Sequence, residues 1–122
     1  MSYESTLTTI SLLAAADLSA LQYTFVDVNS SGQAAAPSGA GAACLGVLQN
    51  DPDAANKVSA VAIAGVSKVK LGATVAAGAS VMTDANGAAI TATATNVILG
   101  RALAGGDAGE IVPVALVSKA TA

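Results

Sequence analysis

Residues 65–87 read GVSKVKLGATVAAGASVMTDANG, and their pattern decides the fold class. Short alternating runs are broken by a glycine every few positions, and the segment closes on Asn86-Gly87. Val69 and Leu71 alternate with Lys68 and Lys70, the period-two signature of a strand with one face buried. Asn-Gly is the strongest short hairpin signal, because both residues tolerate positive φ. A strand over 79–83 is therefore expected to enter a tight turn at 84–87 and to run back over 88–93. Nothing in the segment is chemically reactive, which points to a protein that works by shape and surface.

The same grammar extends in both directions. Strands are expected over 21–28, with Leu21, Tyr23 and Phe25 on one face, over 43–48, and over 58–64, with Val61 and Ile63 on one face. Gly65 permits a bend or bulge before the run 66–71, and further strands are expected over 97–103 and 110–117. Residues 29–41 form a Ser/Gly/Ala/Pro loop, and Gln49-Asn50-Asp51-Pro52-Asp53 is a turn. Pro113 falls inside the last strand, where its missing N–H calls for an edge or a bulge. About eight short strands at close spacing indicate an all-β fold, a small single-domain β-barrel or sandwich of β-tulip-like form. Alanine here alternates with Val and Thr and is punctuated by glycine, so a helical reading of the alanines loses. At most one short helix is expected, over 11–20 with Ser11 as its cap.

Residues 1–13 read as an extended amino-terminal arm ahead of a single β domain over 14–122. Thr6, Thr8, Thr9 and Ile10 favour extended backbone, and Leu7, Ile10, Leu12 and Leu13 offer apolar anchors. Such a terminus either frays or lies along a partner as an added strand. With 122 residues, the chain fits one domain. Its hydrophobic fraction is 53 % but only 2 % of residues are aromatic, so alanine carries much of the apolar count. Alanine buries little area, and at about 25 cal/mol per Å² such a core gains less than a Leu/Phe-rich one. Charged residues make up 11 %, against roughly 25 % in an average soluble domain. Both features favour association with other protein.

The charges are unevenly placed. Glu4, Asp17, Asp27, Asp51 and Asp53 precede the first cation, Lys57, giving −5. The remainder carries Lys57, Lys68, Lys70, Arg101 and Lys119 against Asp84, Asp107 and Glu110, giving +2. An asymmetry of this kind orients docking between copies or with a partner. A pI near 4.4 argues against direct nucleic-acid binding, which wants a basic face and stacking aromatics. No run of about 20 apolar residues exists for a transmembrane helix. The opening MSYESTLTTISLLAAA has Glu4 where a signal peptide has its basic region, so synthesis and folding in a reducing cytosol are expected.

Candidate chemistry is sparse. Histidine is absent, so Ser and Cys lack their commonest base. Ser67 and Lys68 are strand neighbours and point to opposite faces, which disfavours a Ser–Lys dyad. Cys44, the single cysteine, sits between Ala43 and Leu45 and reads as a small buried hydrophobe. Asp51 and Asp53 read as turn formers rather than cation ligands. Asp84-Ala85-Asn86-Gly87 lacks the later ligands of a calcium loop, and no phosphate-cradling G-x-x-x-x-G-K-[ST] occurs. Small β domains that carry biotin or lipoate present a lysine at a hairpin tip; the tip here is Asn86-Gly87. No catalytic, metal or cofactor residues are assigned, and the chain reads as a non-enzyme without a cofactor.

Three stretches, taken in order, resemble the head decoration, or capsid cement, proteins of tailed bacteriophages. They are Gly46-Val47-Leu48-Gln49-Asn50-Asp51-Pro52; Gly65-Val66-Ser67-Lys68-Val69 with the following Gly72, Ala77-Gly78 and Asp84 to Gly87; and Gly100-Arg101-Ala102-Leu103 followed by Gly109-Glu110-Ile111-Val112-Pro113-Val114. With Asp17-Leu18-Ser19 ahead of them, the resemblance spans nearly the full chain. It implies a homotrimer on the outer surface of the virion capsid that braces the lattice of major capsid protein. The arm would then reach capsid protein through Tyr3, Leu7, Thr8, Ile10, Leu12 and Leu13, and Lys68, Lys70 and Pro113 are candidates for contacts between subunits. The rival reading is a β-rich fibre or adhesin module that binds a host ligand.

Overall fold

Val58–Lys70 is thirteen residues of mostly Val, Ala, Ser and Ile without a proline, and the whole run forms one strand. The computed structural model describes residues 5–93 and 96–121. In chain order the strands are β1 (Ser5–Leu13), β2 (Phe25–Val28), β3 (Ala34–Ala35), β4 (Gly46–Leu48), β5 (Val58–Lys70), β6 (Ser80–Thr83), β7 (Ala89–Thr91), β8 (Val97–Ala102) and β9 (Ile111–Thr121). They pair in the order β3-β2-β4-β5-β9-β8-β6-β7, with β1 added on β5, and every ladder is antiparallel. The chain is an all-β single domain, as its sequence leads one to expect.

β5 is the spine. Val61 pairs with Ile10 of β1 and with Leu48 of β4, whereas Val66 pairs with Ser5 of β1 and with Ala115 of β9. A strand has two edges, so β1 holds one while β4 and then β9 take the other. The exchange falls at residues 63–65, which pair with neither β4 nor β9. Gly65 lies there at φ 100°, a left-handed value that glycine adopts without steric cost. The expected break at Gly65 is thus a bend within one strand.

Two curled lobes result. The first consists of β1 to β4 with the start of β5, and it closes through a bridge between Ala14 and Ala34. There the Ala15 amide donates to the Ala34 carbonyl at 2.8 Å. The second consists of the end of β5 with β6 to β9, and closes between Leu71 and Ala89, where Gly72 N–H donates to Ala89 C=O at 2.9 Å. Each lobe has its own core. Ala14, Leu18, Val26, Ala34, Leu48 and Val61 fill the first; Phe25, Val47, Val69, Leu71, Val81 and Val114 are among those filling the second. β2 and β4 form the wall between them. Phe25 and Val47 pair and face one core, while Val26 and Leu48 face the other. All four are buried, as strands covered on both faces require.

The departures from expectation have local causes. No α-helix forms among the described residues. Residues 11–13 end β1, pairing with Ala60, Ser59 and Val58, and only Ser19–Leu21 makes a short 3₁₀ turn. Cross-strand pairing outweighs an alanine helix preference of a few tenths of a kcal/mol per residue. The first expected strand starts only at Phe25, because Tyr23 is left-handed at φ 64°. Its N–H donates to Leu48 C=O at 2.7 Å and its C=O accepts from Lys70 N–H at 2.8 Å, which pins the reversal. At the 84–87 turn Gly87 alone is left-handed, at φ 92°, and Asn86 is not. Asp84 organises the turn instead: its carboxylate accepts from Asn86 N–H at 2.8 Å and from Ala88 N–H at 3.0 Å.

Pro113 corrects the edge-or-bulge expectation. β9 is an interior strand, with β5 on one side and β8 on the other. The Pro113 carbonyl accepts from Leu103 N–H, one residue past the end of β8, at 2.9 Å. In an antiparallel strand the N–H and C=O of a residue share an edge. The missing N–H therefore faces the frayed end of the β8 ladder, where its loss costs little.

Candidate interaction surface

The described residues hold little that resembles a reaction centre. Burial pushes the Cys44 thiol up to about 12, and the nearby Asp27 charge adds to the shift, so the thiolate nucleophile is suppressed at neutral pH. Ser67 is fully buried, accepts from Gln49 Nε2 at 2.8 Å and donates to the Lys68 carbonyl at 3.0 Å. The Lys68 ammonium lies 5.8 Å from the centre of the Tyr23 ring, which separates it from any Ser67 dyad. Asp51 and Asp53 border an open groove of about 720 Å³ with Asn50, Pro52 and Lys57. Lys57 pairs with Asp53, and that hydrogen bond holds the Asp53 carboxyl below its usual range and the Lys57 ammonium above its own. Asp17 is lowered too, by the Ser19 hydroxyl and then by the Ser19 amide. Among the described residues no three His, Cys, Asp or Glu converge as metal ligands. No described helix is long and apolar enough to cross a membrane.

The described residues of the expected capsid-reaching arm pair with β5 of the same chain. Tyr3 lies outside the described residues. Leu7, Ile10 and Leu12 are half-buried, and Ile10 and Leu12 pack on the first core; Thr8 and Leu13 are exposed. β1 is thus extended, as expected, but its partner is β5 of the same chain. Its outer edge pairs with no described strand, apart from the Ala14 bridge at its end. Leu13 stands opposite Val58, and the two make an exposed apolar pair.

The register also gathers the expected subunit-contact residues. Lys68 pairs with Pro113 and Lys70 with Ile111, which places them on one face. Pro113 is fully buried there. Ile111 and Leu103 are the exposed apolar residues beside the lysines. Tyr23, half-buried under Lys68, completes this patch.

A second surface escapes sequence reasoning. Where β4 and β9 separate along β5, a cleft of about 300 Å³ opens, lined by Asp27, Val28, Cys44, Leu45, Ile63, Leu99 and Val117. Val28, Ile63 and Val117 are exposed in it, and among the described residues Asp27 is the one charged group that lines it. Alternation with Val61 directs Ile63 inward; instead it is 37 % exposed, because the two cores stop on either side of it. The only sequence signal for the cleft is the glycine at 65.

No family model matches the sequence, and no curated protein matches it. Among solved structures the fold is similar to the crystal structure of the head fiber gp8.5 N base in bacteriophage phi29. The TM-score is 0.72 at 15 % identity, over 96 % of this chain and 100 % of that one. The likeness spans the whole domain and is one of fold.

Proposed function

We propose that this chain is a structural protein of a phage virion that attaches to the head, and within that class a decoration protein. It would bind as a homotrimer to the outer surface and brace the lattice of major capsid protein. The observation that carries the reading is the fold likeness, over the full domain, to the base of a phage head fiber. The three glycine-punctuated stretches that resemble capsid cement proteins support it independently. Shell contact is assigned to β1. Its open edge offers backbone donors and acceptors, and Leu13 with Val58 offers an apolar pair beside them. Three such contacts per trimer give firm attachment from individually weak ones.

The same likeness favours a second reading, in which the domain is the base of a fibre rather than a brace. The two share the attachment step and differ in what attachment does. Purified heads of the same virus, incubated with the protein and pelleted, test both. Co-sedimentation at a fixed copy number is expected, and Leu13→Asp is expected to lower affinity by about tenfold or more, the loss typical of a central interface residue. Circular dichroism of the variant should match the parent. A bracing protein raises the temperature at which heads release DNA, whereas a fibre base leaves it unchanged. Absence of binding to heads would refute both.

A further inference from the structure

The patch with Lys68 and Lys70 and the cleft with Asp27 sit at two separate places along the same four strands. β2 leads from just after Tyr23 to Val28, β5 from Lys70 back to Ile63, β8 from just before Leu103 to Leu99, and β9 from Ile111 to Val117. Five to seven residues of β5 separate the two surfaces, a span of about 16–23 Å at strand rise. Both carry exposed apolar side chains: Ile111 and Leu103 at one end, Val28, Ile63 and Val117 at the other. Their charges are opposite. Among the described residues neither Lys68 nor Lys70 has a carboxylate partner, and Asp27 has no cation. Glu110, next in chain to the Ile111 that pairs with Lys70, already accepts from Asp107 N–H at 2.7 Å.

We infer that the cleft of one copy receives the Lys70–Ile111 end of the next, so that copies of this chain associate head to tail. Cleft-on-cleft pairing about a two-fold axis would bring two Asp27 carboxylates together among Val, Ile and Leu side chains. Desolvation and like charge both oppose that arrangement. Joining the two different ends sets Lys70 beside Asp27 and covers both apolar patches at once. An interface between unlike surfaces closes into a ring when the rotation permits. The ring is the trimer of the proposed reading, on which this inference rests for its copy number. It leaves β1, on the other edge of β5, outside the seam.

A charge exchange tests it. Association of the full chain is measured by sedimentation equilibrium over a range of concentrations, for the parent, Asp27→Lys, Lys70→Asp and the double variant. Each single change should weaken association by about tenfold, as expected for an interfacial charge pair. The double variant should recover most of the loss. Ile63→Asp, at a site already part-exposed, should give monomers with unchanged circular dichroism. Losses that add in the double variant, or single variants that associate like the parent, would overturn the assignment. A parent chain that stays monomeric yet binds heads would overturn the seam and leave head attachment standing. A ring that ignores heads would do the reverse.

Discussion

Phe25→Ala is the sharpest probe of how the two lobes hold together. Phe25 is 1 % exposed and stands in the β2–β4 wall, facing the second core with Val47. A buried aromatic removes about 150–250 Å² from water. At about 25 cal/mol per Å² that amounts to about 4–6 kcal/mol for the whole side chain. Truncation to alanine keeps a part of it and leaves a cavity, and is expected to cost about 3–5 kcal/mol. Whole domains are stable by only about 5–15 kcal/mol, so the loss is a large share. The expected consequence is global. β2 and β4 also carry Val26 and Leu48 into the first core, so the wall cannot loosen for one lobe alone. Native-state hydrogen exchange reads both lobes, through the amides of Val61 in the first and Val81 in the second. Protection at both should fall together, by about two to four powers of ten, since every 1.4 kcal/mol is a factor of ten. Loss at Val81 with Val61 unchanged would refute a shared wall and leave two independently stable lobes.

Two further outcomes follow from single side chains. The Ser59 hydroxyl is fully buried in β5 and has no hydrogen-bond partner among the described residues. Ser59→Ala should raise stability by about 1–3 kcal/mol, the desolvation cost of an unpaired hydroxyl, and a comparable loss in thermal melting would show that the hydroxyl is paired. Cys44 has its folded pKa raised from 9.0 to about 12, so the folded state keeps a proton that the unfolded state gives up as pH rises. Its contribution is full below pH 9 and declines as pH climbs from 9 towards 12, at about 1.4 kcal/mol per pH unit. Cys44→Ala should flatten that part of the denaturation profile; an unchanged slope, or rapid labelling of the native thiol at pH 8, would contradict the burial argument.

The parts of the fold that were legible in the sequence are those set by local pattern. Alternation over 66–71, the turn centred on Asp84 to Gly87, and the buried Cys44 follow from residues near in sequence. What was hidden depends on partners far along the chain. Phe25 and Val26 are adjacent apolar residues, a pattern that fits a strand covered on both faces but does not say by what; β4, about twenty residues on, supplies the answer by pairing. Tyr23 has no glycine or asparagine character to announce a left-handed turn, and is held there by Leu48 and Lys70. Pro113 looked like an edge residue because its missing donor was counted without knowing where β8 ends. The cleft was invisible for the same reason: Ile63 obeys the alternation of its strand, and only the parting of β4 from β9 uncovers it.

The placement of β1 alters the energetics of attachment. An arm of nine residues that ordered only on the shell would lose roughly 1–2 kcal/mol of backbone entropy per residue, about 9–18 kcal/mol in all, before any contact repaid it. Residues 5–13 meet that cost when the domain folds, against β5 and the first core, so a partner finds the edge already extended. The same pairing makes removal of residues 1–13 a poor test, since it would strip β5 of one neighbour and take Ile10 and Leu12 from the core. Substitution at Leu13, outside that core, separates attachment from folding. In the proposed reading, recognition then rests on surfaces fixed by the fold: an open strand edge at β1 for the shell, and the Lys70 end of β5 with the cleft at Ile63 for the next copy.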